Sequence, residues 1–158
     1  MVEIIKAQEK HIGGILGIWK EFVESQITCE PNWEPGANAN QHFEDDLTRG
    51  ISSKTDLILV ALEDGIPIGF AVAVMHESQA FFRTDIWGTI SDIAVYAAHQ
   101  NKGIGEQLLT HTLDWFRSNN ISELEVSVLS GNESGLLFWK RNGFSPFSQR
   151  LYRKISLK

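Results

Sequence analysis

The chain has 158 residues, of which 42% are hydrophobic, and carries a formal net charge of −6. This length suits one folded domain over residues 1–158, and the acidic balance argues against binding to nucleic acid or to anionic membranes. No apolar run approaches the roughly 20 residues that cross a bilayer. Because residues 1–6 lack a basic leader followed by an apolar stretch, we expect a cytoplasmic protein.

Periodicity and turn residues divide the first half of the chain into a strand, two helices and a hairpin. The predicted elements are a strand (2–7), a helix (12–23), a loop (26–40), a helix (39–49) and two strands (57–63 and 66–75). Asp64-Gly65 separates these two strands and is the strongest short hairpin signal.

The second half alternates between strands and helices. The predicted elements are a strand (86–95), a helix (103–118), a strand (123–130), a helix (133–142) and a last strand (149–155). A strand, helix and strand over residues 89–129 require a parallel crossover. The sequence therefore predicts a mixed α/β (α+β) sheet that is covered by helices on both faces.

A glycine-bearing turn lies between the strand at 86–95 and the helix at 103–118. Its sequence is Gln100, Asn101, Lys102, Gly103, Ile104 and Gly105. The first N–H groups of a helix have no intrahelical partners, and the helix dipole adds positive potential, so such a turn favours an anion. A dinucleotide fingerprint would need glycine where Leu108 stands, and no Walker loop is present. A helix start that merely uses glycine is the alternative.

Two segments carry a family resemblance. Residues 90–109, which include this turn, resemble the acyl-CoA signature of the GNAT superfamily of N-acetyltransferases. Residues 132–144 resemble the Asn-x-x-Ala…Tyr…Gly-Phe helix of the same superfamily. The resemblance implies a mostly antiparallel sheet with one splayed pair of parallel strands, here 87–96 and 123–130. It also implies acetyl-CoA as the cosubstrate.

Site residues for acetyl-CoA follow from this resemblance. They are Ile93, Ala94, Val95, Gln100, Asn101, Lys102, Gly103, Ile104, Gly105, Asn132 and Trp139. The main chain of Ile93 and Val95 would bind pantetheine, the turn amides would bind pyrophosphate, and the Asn132 side chain would approach the pantetheine arm. Core packing and an N-cap are the ordinary roles of these residues, and both roles can hold together. Valine at Gly105 would press against the phosphates.

The implied chemistry is attack of a neutral amine on a thioester, which requires a proton acceptor. Asp92 is the first candidate, because strand alternation would place it on one face with Ile90 and Ala94. The equal alternative is that Asp92 anchors a substrate cation or is a solvated strand residue. His76, Glu77 and Tyr96 are weaker candidates.

The family's usual general acid, a tyrosine, is replaced by Trp139. Indole is not a useful proton donor, so Trp139 is expected to pack against the sheet or the pantetheine arm. Tyr152 or Tyr96 would then be substitutes for the acid, although a thiol with a pKa of about 8.5 leaves tolerably as thiolate without one.

The acceptor is expected to be a small cationic amine. Glu24, Glu30 and Glu34 with Trp33 form either an anionic mouth or a solvated face. The alternatives are an N-terminal or lysine acetyltransferase of proteins and a non-catalytic acyl-CoA-binding module. A homodimer is expected, with pairing through residues 149–155 as one route.

No metal site is expected from the sequence. Cys29 is the single cysteine, which rules out a zinc-type cluster, and a nucleophilic role for it lacks an identifiable base. His42 and Asp46 are spaced as an ordinary pair on a helix surface, and His111 is also assigned to a helix surface.

Overall fold

A computed structural model describes residues 1–77 and 86–157 of the chain. The strands are β1 (Val2–Lys6), β2 (Asp56–Glu63), β3 (Ile66–Glu77), β4 (Ile86–Val95) and β5 (Leu124–Val126). The helices are α1 (Ile12–Cys29), α2 (Ala39–Ser52), α3 (Ile104–Ser118) and α4 (Glu133–Arg141). Two short 3₁₀ turns, Glu9–His11 and Ala97–His99, precede α1 and follow β4.

The five strands form one sheet in the order β1-β2-β3-β4-β5. The pairs from β1 to β4 are antiparallel, and β4 pairs with β5 in parallel. One apolar cluster joins the sheet to α1 and α2 through residues such as Ile15, Ile18 and Leu47. A second cluster joins the opposite face to α3 and α4 through Leu108 and Trp139. The predicted mixed sheet with helices on both faces is confirmed.

The hairpin between β2 and β3 turns where the sequence predicts. Asp64 has φ 51° and Gly65 has φ 79°. Positive φ at both central residues is typical of a type I′ turn, whose twist matches that of the flanking strands.

Three predicted elements differ from the structure, and the first is the strand at 123–130, which has only three residues, Leu124–Val126. Helix α1 continues to Cys29, so the loop before α2 is shorter than predicted. The predicted strand at 149–155 is wrong, because those residues have no strand pairing, and the side chains of Leu151 and Ile155 are 90% and 71% exposed. An alternating pattern makes a strand only where a sheet edge pairs with it. The predicted dimer route relied on that strand.

Gly88 lies where β4 begins to pair with β5. A Cβ atom on Gly88 would lie 2.3 Å from the ring of Phe116 and 2.7 Å from Leu124. We expect Gly88→Ala to lower the free energy of unfolding by about 1–3 kcal/mol, because overpacking must displace the α3 ring or β5. Denaturant unfolding measures this change.

Gly13 provides the matched control for Gly88. A Cβ atom there would meet no atom within 4 Å, and Gly13 lies in α1. Gly13→Ala is expected to be neutral or slightly stabilising, since alanine is the better helix former. Equal losses from both variants would contradict the packing argument.

In the part of the chain that the structure describes, none of the helices combines the length and the apolar character that a membrane span requires.

Candidate active site

A cavity of about 800 Å³ opens where β4 and β5 diverge. The parallel ladder has three registered pairs and ends at Ile90 and Val126. Residues 91–95 of β4 line one side of the cavity, and Val126, the last residue of β5, lines the other side together with residues 127 and 128. Since the main chains of β4 and β5 do not pair across this gap, they present strand-like groups there that suit an extended ligand.

A β-bulge at Ser91 decides which way β4 presents its residues. Val72 pairs with Asp92, but the next residue, Ala73, pairs with Ile90, so Ser91 is the extra residue. Cross-strand neighbours share a face. The expectation that Asp92 shares a face with Ile90 is therefore wrong, because Ile90 packs on the α3 side while Ala94 packs on the α1 side together with Val72.

The end of β4 points main-chain groups into the gap. The N–H of Tyr96 donates to the Ile68 carbonyl on the β3 side, with N···O 3.0 Å. Successive main-chain groups of a strand alternate between its edges. The main-chain N–H and C=O groups of Ile93 and Val95 therefore point toward the gap. There the Val95 carbonyl accepts a hydrogen bond from Gln100 Nε2, with N···O 3.0 Å.

The turn before α3 has the shape of an anion cradle. Asn101 has φ 60°, and Gly103, the N-cap of α3, has φ 75°. Among the described residues no side chain caps this helix. The first amides of α3 are thus open to a ligand, and the residues present fit a pyrophosphate.

The absence of a side chain at Gly105 allows α4 to pack closely against α3 and leaves the turn amides accessible to a ligand. A Cβ atom there would lie 3.3 Å from the ring of Phe138 on α4. A branched side chain at Gly105 would therefore disturb helix packing together with any phosphate contact. Lys102 is exposed and is not among the cavity residues.

Asp92 lies on the cavity wall on the α1 side of the sheet. No described residue forms a hydrogen bond or an ion pair with its carboxyl group. Burial disfavours the charged form and raises the pKa of Asp92 from 3.8 to about 6. A carboxyl group with that pKa is ionised at neutral pH yet is a stronger base than an ordinary aspartate.

Helix α1 supplies the wall that the sequence analysis missed. Its cavity residues are Glu21, Phe22, Ser25 and Gln26. Glu21 Oε1 accepts a hydrogen bond from the Ala97 backbone N–H, with N···O 2.6 Å. No local pattern indicates this contact, because the two residues are 76 positions apart.

Helix α4 closes the other side of the cavity. The Asn132 side chain caps α4, since its Oδ1 accepts from the Gly135 N–H at 2.9 Å. Trp139 is buried and packs edge-on against Phe138 and Phe144, with ring centroids 5.1 and 5.0 Å away. Asn132 and Trp139 both line the cavity.

The candidate tyrosines lie outside the cavity lining. Tyr96 packs against α1, where a Cβ atom on Gly17 would lie 2.5 Å from its hydroxyl oxygen. Tyr152 is 66% exposed in the segment that follows α4. Neither is placed to donate a proton in the cavity.

The remaining candidates also lie elsewhere. Glu24 lines a separate cavity of about 280 Å³ beside Trp19. Glu30, Trp33 and Glu34 line neither cavity. His76 and Glu77 lie near the distal end of β3, where His76 stacks on Trp87. The proposed anionic mouth is therefore not assembled around Asp92.

Residues 19–144 match the model of the acetyltransferase (GNAT) family, and the chain belongs to that family. A segment of 69 residues is 30% identical to the uncharacterized N-acetyltransferase YobR of Bacillus subtilis. This segment covers 44% of the chain and 28% of that relative, so only part of the relative is represented.

Solved structures share the fold over nearly the whole chain. A predicted acetyltransferase from Clostridium acetobutylicum, solved with acetyl-CoA, has a TM-score of 0.80 at 17% identity and covers 98% of this chain and 96% of its own. An aminoglycoside antibiotic 6′-N-acetyltransferase from Acinetobacter haemolyticus has a TM-score of 0.76 at 16% identity, with 99% of both chains covered.

Proposed function

We propose that this chain transfers the acetyl group of acetyl-CoA to a primary amine of a small cationic molecule. The observation that carries the proposal is the position of Asp92, a carboxyl group without a described partner, on the wall of the gap between β4 and β5. The open amides at the start of α3 lie at the same cavity. Aminoglycoside acetylation by the Acinetobacter neighbour supports a small-molecule acceptor.

In this proposal, bound acetyl-CoA supplies the electrophilic thioester carbonyl. An alkylammonium with a pKa near 10.4 must lose a proton before it can react, and Asp92 accepts that proton. The raised pKa of Asp92 narrows the pKa difference between the ammonium group, which donates the proton, and the carboxylate, which accepts it. Main-chain N–H groups of β4 that face the gap stabilise the negative charge that develops on the carbonyl oxygen.

A general acid is not required for this reaction. The leaving thiol, with a pKa of about 8.5, departs as thiolate at mildly basic pH. Trp139 acts as packing beside the pantetheine path, in keeping with its edge-on contacts to two phenylalanine rings.

Acetyl-CoA-dependent thiol release at about pH 8 tests the proposal across polyamines, amino acids, aminoglycosides and short peptides. Release with a small amine is the expected result. Release with peptides alone would indicate a protein acetyltransferase. Silence across the panel, with acetyl-CoA still bound in calorimetry, would favour the non-catalytic acyl-CoA-binding module.

A further inference from the structure

The Glu21 carboxylate connects α1 to the main chain that leaves β4. Its Oε1 atom lies 2.6 Å from the Ala97 nitrogen, and the Ala97 N–H donates to it. A hydrogen bond to an ionised acceptor is shorter and roughly twice as strong as one between neutral groups. This contact therefore restrains a segment that otherwise runs along the protein surface.

Ala97 lies at the entrance to the pyrophosphate turn. It begins the 3₁₀ turn Ala97–His99, which leads directly into Gln100–Gly105. The Gln100 side chain ties this segment back to the Val95 carbonyl. Later in the turn, both Asn101 and Gly103 have left-handed backbone conformations. A turn of this shape binds an anion well only if its ends are fixed, because ordering it on binding would cost affinity.

Helix α1 is held close to this segment at two successive turns. Gly17 leaves room for the Tyr96 hydroxyl, since a Cβ atom there would lie 2.5 Å from that oxygen. Glu21, four residues later, bonds the next residue, Ala97. Residues one helical turn apart lie on the same face. The helix that forms the Asp92 side of the cavity thus also supports the turn.

We propose that Glu21 is a positioning residue for acetyl-CoA, which holds the pyrophosphate turn in its binding shape through the Ala97 N–H. The inference rests on the proposed function, because it presumes that the turn binds this cosubstrate. In this role Glu21 acts through the Ala97 N–H and not by binding the phosphates itself.

Two substitutions of Glu21 separate the loss of its hydrogen-bond acceptor from the loss of its negative charge. Glu21→Ala removes the acceptor oxygen and is expected to weaken CoA binding about tenfold in calorimetry. Glu21→Gln keeps an acceptor oxygen at the same place and should stay within about threefold of wild type. Glu24→Ala, on the same helix but lining the other cavity, is the control and should bind CoA normally.

Removing the donor provides an independent test. Proline at 97 lacks the N–H, and Tyr96, with φ −48° and ψ 138°, already has the extended backbone that precedes proline. Proline is also favoured at the first position of a helical turn. Ala97→Pro is expected to weaken CoA binding as much as Glu21→Ala, and the double variant should be no weaker than either.

The outcomes distinguish this inference from the proposed function. If the wild-type chain does not bind CoA, the proposed function fails. If it binds CoA and Glu21→Ala binds equally well, or if Glu21→Gln loses as much as Glu21→Ala, the positioning role is overturned. A positioning role also predicts a tenfold higher KM for acetyl-CoA with kcat within about twofold. Should Glu21→Ala fail to fold, Glu21→Gln and Ala97→Pro still decide the question.

Discussion

Asp92→Asn is expected to lower activity and raise stability in the same protein. Asparagine cannot accept the ammonium proton, and loss of a positioned base costs about 10²- to 10⁴-fold in kcat/KM. In the wild type, kcat/KM should fall as pH drops through about 6, where burial has placed the pKa of Asp92. In the Asp92→Asn variant, kcat/KM should not show this fall at acidic pH. Thiol release measured from pH 5 to 9 tests both statements.

The stability effect follows from the direction of the pKa change. Burial raises the pKa of Asp92 from 3.8 in the unfolded chain to about 6 in the fold, so the folded protein binds this proton more tightly. That contribution to stability is complete below pH 4 and is lost as pH rises through 6. Above pH 7 the wild type bears a half-buried charge, and Asp92→Asn should be more stable by at most about 3 kcal/mol, since contact with solvent reduces the cost of that charge.

A carboxyl group outside the cavity provides the control for the effects of Asp92→Asn on rate and stability. Asp45 on α2 accepts a bond from Gln41 at 3.0 Å and is exposed. Asp45→Asn should change the free energy of unfolding by less than about 0.5 kcal/mol and leave the rate unchanged. If Asp92→Asn keeps the wild-type rate across the pH range, the proton-acceptor role is excluded.

Asn101→Asp is expected to weaken CoA binding about tenfold to a hundredfold. The change adds one negative charge to the turn while keeping the shape of the side chain. Asn101 lines the cavity at φ 60°, and aspartate tolerates the same left-handed backbone. Repulsion between this carboxylate and a pyrophosphate a few ångströms away accounts for the loss. Calorimetry at low and high salt measures it, and added salt should reduce the difference.

Asn120 is a closely matched control, because it has φ 59° and follows the other end of α3. Asn120→Asp makes the same chemical change far from the predicted phosphates and should leave CoA binding unaltered. A negative charge stabilises the start of a helix and destabilises its end. Asn101→Asp should therefore not unfold the protein. Equal CoA affinity of the two variants would remove the phosphate role from the turn.

Local patterns were sufficient to predict the hairpin and the glycine-bearing turn. The turn between β2 and β3 requires positive φ at two neighbouring positions, and Asp64-Gly65 is one of the few residue pairs that permit it. A strand followed by Gly103 and a helical pattern likewise defines the start of α3. Each signal depends on residues that are adjacent in sequence.

Features that depend on distant partners were not predictable from the sequence. Alternation continues through Val128, yet the ladder with β4 ends at Val126 because the strands diverge. Alternation at 149–155 is equally clear, but no described strand pairs with it. The bond between Glu21 and Ala97 joins residues 76 positions apart, and the sequence of α1 indicates Glu24 rather than Glu21 as a site carboxylate. In each case the missing information is which surface lies opposite.

The extra residue in β4 has a consequence for how this chain can evolve. Ser91 has an exposed side chain, so its chemical identity is weakly constrained by packing. The pairs on either side of it, Val72 with Asp92 and Ala73 with Ile90, would be consecutive pairs of a regular ladder if Ser91 were absent. Deleting Ser91 would therefore keep Asp92 on the α1 side and would remove only the bend and the extra twist that a bulge gives its strand. That bend lies directly after Ile90, where the ladder with β5 ends, so a chain without this residue should pair further along β5 and have a narrower gap. Selection on this position therefore acts on chain length rather than on residue type, and homologues should vary freely at 91 while retaining a residue there.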